Sequence, residues 1–170
     1  MYETAEELDR LQALLDASAA RAGRHLRSII TEQRRLNAAQ LCVQLSGMRL
    51  VTVATVTAAG RPLSSPVDGY FLNGSFWFST SRHSIRARHL SRRPAVSVSH
   101  LPHERLAVFA HGDAVLVDFP SPQTSELRQA MLEHYLPLQG SSFQQWLDTM
   151  NDGVAARVDA SKLFAFHIDE

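Results

Sequence analysis

Two periodicities divide the chain near residue 47. Over the first part, apolar residues recur every three or four positions: Leu8, Leu11, Leu14 and Leu15, then Leu26, Ile29, Ile30 and Leu36. That spacing belongs to helices with one apolar face. Thr4 followed by Glu7 forms a capping-box pattern, in which hydroxyl and carboxylate take up the free amides of a helix start. Asn37 is a plausible N-cap for a short helix over 38–46, which Gly47 ends. Residues 1–47 hold no proline and therefore read as two or three helices, with Arg24, Arg27, Arg34 and Arg35 away from the apolar face.

From Met48 onward the period shortens to two. Residues 49–58 (RLVTVATVTA) are β-branched and alternating, which predicts a strand. Ala59-Gly60 supplies a turn, and a second strand is predicted over 62–72. Asn73-Gly74 is a strong hairpin signal, because both turn positions need positive φ. Strands follow over 76–80 and 95–100, separated by a short helix over 84–92 that stops before Pro94. A further hairpin is expected over 106–110 and 114–118, turning on His111-Gly112-Asp113. Helices are expected over 123–136 and 141–150, then strands over 154–158 and 163–168. The sum is a mostly antiparallel β domain of six or seven strands. Short strands with frequent turns suggest a barrel or a sandwich. A helical extension over 1–47, packed on a β domain over 48–170, is preferred to two separate domains.

Charge and cysteine content narrow the partners. Lys+Arg and Asp+Glu number 17 each, so the net charge is zero. That argues against nucleic-acid or anionic-membrane binding, which calls for a broad positive field. Cys42 is the single cysteine; with no intrachain disulfide to form, a reducing cytoplasm is expected. In the run Leu41-Cys42-Val43 it reads as a small buried hydrophobe. The acidic start lacks the features of a signal peptide, and no run reaches the roughly 18 apolar residues of a membrane helix.

The densest polar segment is Ser79-Thr80-Ser81-Arg82-His83-Ser84-Ile85-Arg86-Ala87-Arg88, placed where a strand ends and a helix begins. Hydroxyls, guanidinium groups and free helix amides together suit a phosphate. The same residues read equally as an ordinary helix capped by Ser84, with its arginines in solvent. His100, His103 and His111 flank turns without a spacing that metals use, so no metal site is expected. Phe143, Trp146 and Leu147 at helical spacing read as core or subunit contact.

Residues 48–118 resemble the FMN-binding split-barrel superfamily, which includes pyridoxamine 5′-phosphate oxidases and deazaflavin-dependent reductases. The likeness rests on ordered segments: MRLVTVATVTAAGRPLSSPV, then FWFSTSRHSIRARHLSRRPAVSVS, and a closing pair from Gly153-Val154-Ala155-Ala156-Arg157-Val158 to Phe164-Ala165-Phe166. The resemblance implies an α+β, mainly β fold: a six- to seven-stranded antiparallel split β-barrel with flanking helices. It implies a homodimer with FMN or a deazaflavin (coenzyme F420) in a site shared between subunits. By position, Thr80, Ser81, Ser84 and Arg86 match the segment that holds the cofactor phosphate, Arg86 standing where many members carry Lys. Ser64, Ser65, Pro66 and Val67 match the strand beside the flavin ring.

Departures matter as well. The places of the phosphate-gripping Arg and Lys of the B6 oxidases look like Ser65 and Asp68 to Tyr70, and the C-terminal Arg-x-His-type motif is not evident. Vitamin B6 oxidation is therefore not implied. The expected function is a flavin- or deazaflavin-dependent oxidoreductase acting by hydride transfer on a small organic substrate. His83 and Tyr70 are the candidate proton donors, and Tyr135 and Trp146 are placed to reach a partner's cofactor. The rivals are a non-catalytic flavin-storing or flavin-sensing barrel, and an interaction module working through the N-terminal helices.

Overall fold

A computed structural model describes residues 3–168. The N-terminal part folds as α1 (Ala5–Ala20), α2 (Arg24–Ile29), a single 3-10 turn (Glu32–Arg34) and α3 (Ala38–Gln44). Both expected caps are formed. Glu7 donates its amide to Thr4 Oγ1 at 3.3 Å, and Thr4 returns its own to Glu7 Oε2 at 2.8 Å. Asn37 and Gln40 make the same reciprocal pair at the start of α3. Leu11 and Leu15 of α1, Leu41 of α3 and Leu45, the residue that caps it, are buried in the same cluster as the barrel residues Val51, Val53, Phe78 and Val98. Among the described residues no helix is long and apolar enough to cross a membrane.

Six strands follow: β1 (Met48–Val56), β2 (Pro62–Leu72), β3 (Ser75–Ser81), β4 (Ala95–His103), β5 (Leu106–Asp118) and β6 (Gly153–His167). They close an antiparallel barrel in the order β1-β2-β3-β6-β5-β4. α4 (Ile85–Leu90) joins β3 to β4; α5 (Ser125–Gln139) and α6 (Ser141–Thr149) lie between β5 and β6. The Asn73-Gly74 turn is as expected, with φ of 53° and 75° at its two centres. α5 continues through Pro137 to Gln139, one turn beyond the predicted end.

Two expected turns are absent. The predicted hairpin on His111-Gly112-Asp113 does not exist: β5 runs unbroken for 13 residues. The two predicted C-terminal strands are one strand of 15 residues. Six strands, not seven, therefore make the barrel. The reason lies at one place. His111 pairs with Lys162 and Gly112 with Ala160, so Ser161 is the extra residue of a bulge. A Cβ on Gly112 would stand 2.1 Å from the Asp159 carbonyl oxygen. The glycine serves a close backbone approach rather than a turn. Past the bulge, the Leu163 amide donates to Ser18 Oγ of α1 at 2.9 Å, and Ser18 in turn donates to the Leu14 carbonyl at 2.7 Å. The turn between β4 and β5 is instead at Glu104-Arg105, and Pro102 falls in a register shift of β4 rather than in a turn.

Candidate functional site

Along part of β2 the closed barrel parts locally. Its ladder with β3 runs only from Leu72 opposite Ser75 to Gly69 opposite Phe78. Beyond that point β2 stays paired with β1 as far as Pro62, while β3 turns to β6 as far as Ser81. Residues 62–68 thus present one strand edge to a slot, and such an edge carries backbone donors and acceptors ready for another partner.

Arg86 of α4 spans this slot. Its Nη2 donates to Ser65 Oγ at 2.5 Å, and its Nη1 to Thr80 Oγ1 at 3.5 Å. Thr80 donates onward to Ser84 Oγ at 3.0 Å, and the same oxygen accepts the Ala87 amide as the N-cap of α4. The guanidinium lies 5.9 Å from the centre of the Phe78 ring. Arg86 Nε is buried with no hydrogen-bond partner. Burial alone lowers the Arg86 pKa from its ordinary value; no carboxylate contributes. A half-buried cation with one idle donor and hydroxyl neighbours wants an anion. Leu63, Ser64, Ser65, Thr55, Ser84 and Arg86 border a pocket here of about 310 Å³.

The structure brings Ser65, Thr80, Ser84 and Arg86 together, with Ser64 at the pocket wall. Ser81 does not join them: its exposed hydroxyl accepts the His83 amide of its own turn at 3.2 Å. Because α4 has only six residues and Ser84 Oγ is already used as its cap, the guanidinium and hydroxyls, rather than the helix amides, are the anion-binding groups. His83 is exposed and sits 3.0 Å from Asp152, in a cluster where Arg82 binds Asp118 at 2.6 Å. That cluster ties the β3–α4 turn to the end of β5 and the start of β6.

Farther along β2 is a second pocket, of about 480 Å³, between the strand and α5–α6. Val67, Asp68 and Tyr70 come from β2, Ser79 from β3, and Met131, Tyr135, Phe143 and Trp146 from the helices. The Tyr135 hydroxyl donates to Asp68 Oδ2. Burial first, and then that bond, push the Tyr135 phenol up to about 12. Tyr70 is 2% exposed, its hydroxyl has no partner, and burial raises its pKa further. The rings of Tyr135 and Phe143 are 4.7 Å apart, and those of Phe143 and Trp146 5.2 Å. Phe143 and Leu147 are core, as their spacing suggests, but Trp146 keeps 47% of its surface exposed. Sequence reasoning missed this pocket as a unit; its one local signal was the aromatic spacing on α6.

Residues 39–149 match the protein-family model described as pyridoxamine 5′-phosphate oxidase. Among solved structures, the chain is similar to the conserved hypothetical protein Rv2991 from Mycobacterium tuberculosis: 21% identity over 81% of this chain and 88% of that one, TM-score 0.65. It is similar to HutZ of Vibrio cholerae, described as a heme storage protein, at 22% identity over 69% and 86%, TM-score 0.58. It is also similar to an F420 reductase, at 16% identity over 72% and 94%, TM-score 0.55. At these identities the likeness shows a shared fold. A search of curated proteins found no match. The six-stranded barrel, the opening beside β2 and the family match agree, and the chain belongs to the pyridoxamine 5′-phosphate oxidase family of split β-barrels.

Proposed function

We propose that the slot between β2 and α4 binds the phosphate of a flavin-type cofactor, FMN or the deazaflavin F420, and that the protein is an oxidoreductase acting on a small organic substrate. The observation that carries this is Arg86: a half-buried guanidinium held between Ser65 and Thr80, with its Nε idle and no carboxylate beside it. A phosphate oxygen would satisfy the idle donor and balance the charge. Ser64, Ser65, Pro66 and Val67 then run from the phosphate pocket to the second pocket. At a rise of about 3.3 Å per residue, Ser65 to Asp68 spans roughly 10 Å. The unpaired edge of β2 supplies backbone groups along that length to hold a ring.

Such a cofactor, when bound, supplies hydride chemistry, so the chain's own residues must bind, orient and exclude water. Of the two proton-donor candidates we favour Tyr70, whose buried hydroxyl has no hydrogen-bond partner, over the exposed His83, whose Nε2 already lies 3.0 Å from Asp152 Oδ2. We also propose the homodimer. Leu50 and Leu101, each 64% exposed, lie on neighbouring strands of the outer barrel face, where His100 Nδ1 meets the Leu50 carbonyl at 2.9 Å. Apolar side chains so displayed suit a subunit contact.

The test is a titration of FMN and of F420, followed by ring fluorescence, on the parent chain and on Arg86→Ala, with sizing of the same samples. One cofactor is expected to bind at micromolar Kd or tighter, weakened at least tenfold (about 1.4 kcal/mol) in Arg86→Ala while the melting curve stays cooperative. Binding of neither cofactor overturns the reading. Binding without turnover of the reduced cofactor over a substrate panel marks a storage or sensing protein instead.

A further inference from the structure

The second pocket carries its own chemical signature, and it is not that of a phosphate site. Arg86 and its hydroxyls belong to the first pocket. The second has no lysine or arginine among its lining residues; its one charged member is Asp68. Tyr70, Tyr135, Phe143 and Trp146 make half of the rest of its lining aromatic, beside Val67, Ser79, Met131 and Gln139. Tyr70 lines this space, and its hydroxyl is buried without a partner, which is costly unless something is provided for it. The Asp68 carboxylate already accepts a hydrogen bond from the Tyr135 hydroxyl on Oδ2, so the two groups stand as one anionic, hydrogen-bonded wall.

Resting on the oxidoreductase reading above, we infer that this pocket receives the substrate, and that the substrate is a flat aromatic compound bearing a protonated amine and no phosphate or carboxylate. An ammonium group facing Asp68 gains a charge-assisted bond. A ring beside Tyr135, Phe143 and Trp146 gains stacking area and, if the charge lies near it, cation–π attraction. The Tyr70 hydroxyl gains a polar neighbour. An anionic ligand of the same shape meets the Asp68 carboxylate with no cation among the lining residues to offset it, which disfavours it.

Matched probes test this directly. Phenethylamine and phenylacetate have similar size and opposite charge, and their binding to the purified protein is measured by calorimetry, without added flavin and again with saturating FMN. The amine is expected to bind at least tenfold more tightly than the acid. Asp68→Asn should bring the two within about threefold. Trp146→Ala should weaken the amine while Asp68 discrimination persists. Equal affinity for the two probes, preference for the acid, a preference untouched by Asp68→Asn, or no binding of the amine each overturns the inference. The controls separate it from the cofactor proposal: flavin binding lost in Arg86→Ala reads the first pocket alone. Flavin binding without amine binding sinks only the inference made here; amine binding with no flavin or F420 binding sinks only the cofactor reading.

Discussion

Gly69 stands where β2 and β3 part, paired with Phe78 on one side and Arg49 on the other. A Cβ at this position would lie 2.7 and 2.8 Å from the two methyl carbons of Val51, and 3.4 Å from the Arg49 carbonyl oxygen. Favourable carbon contacts begin at about 3.5 Å, so the overlap approaches 1 Å. Val51 is 2% exposed and sits in the main core; its branched side chain has no free rotamer to take up. Two effects oppose each other in Gly69→Ala. Alanine in a strand gains roughly 0.5–1 kcal/mol over glycine from the unfolded chain. Overpacking costs about 1–3 kcal/mol. Contact with two methyls of a buried side chain puts that cost in the upper part of its range, about 2–3 kcal/mol, so sterics wins by about 1–2.5 kcal/mol, which for a chain of this length lowers Tm by roughly 2–10 °C. Val51→Ala is destabilising alone, yet it vacates the space that the new methyl needs. The double variant should therefore cost at least about 1 kcal/mol less than the two single costs together. Thermal and urea melts followed by circular dichroism give all four corners of the cycle. An unshifted Tm in Gly69→Ala, or strict additivity in the double variant, refutes the close-packed geometry at the mouth of the slot.

Two further outcomes follow from buried groups. Cys42 is 6% exposed and its thiol is pushed up to about 12, first by burial. It should resist a thiol reagent at neutral pH in the native protein and react once per chain in denaturant; rapid native labelling would contradict the packing of α3. Tyr135 is raised to about 12 and Tyr70 is raised as well, both chiefly by burial. The unfolded chain releases these protons first, near the ordinary value of about 10. Their contribution to stability is thus whole below that pH and lost as pH climbs toward the folded values. Melting temperature and near-ultraviolet phenolate absorbance, read together through that alkaline window, should show both phenols ionising with unfolding. Their ionisation in the intact fold near the ordinary value would show that Tyr70 and Tyr135 are solvated.

What could be read from the chain alone was what is local. The caps of α1 and α3 need four neighbouring residues, and the Asn73-Gly74 turn needs two. Thr80, Ser84 and Arg86 lie within seven positions, so their meeting around one anion site was legible. What escaped depends on residues far apart. The Ser161 bulge and the Gly112 approach exist only because β5 and β6 lie side by side, and the bulge edge is completed by Ser18, 145 residues away from Leu163. Glycine and a polar run therefore looked like turns when they were accommodations within long strands. The second pocket draws on two strands and two helices, and no window of sequence holds Asp68 beside Tyr135.

The opening beside β2 is the step that joins these scales. Strand propensity alone extends both β2 and β3 past Gly69 and Phe78, and nothing in their side-chain alternation says that they must separate. The separation shows only in which partner each strand keeps. β3 finds β6 from Phe76 to Ser81, and β2 keeps β1 as far as Pro62. Phe76 to Phe78 pair on both edges, with β2 and with β6, whereas Ser79 to Ser81 keep only β6; α4 then carries Arg86 back across the gap to Ser65. An arginine that reads from sequence as solvated charge or phosphate ligand is thereby half desolvated with one donor idle. It is this topological event that weights the phosphate alternative: on an unbroken sheet the same residue would be a surface charge on a short capped helix, and the hydroxyls of Ser65 and Thr80 would have no common guest to share.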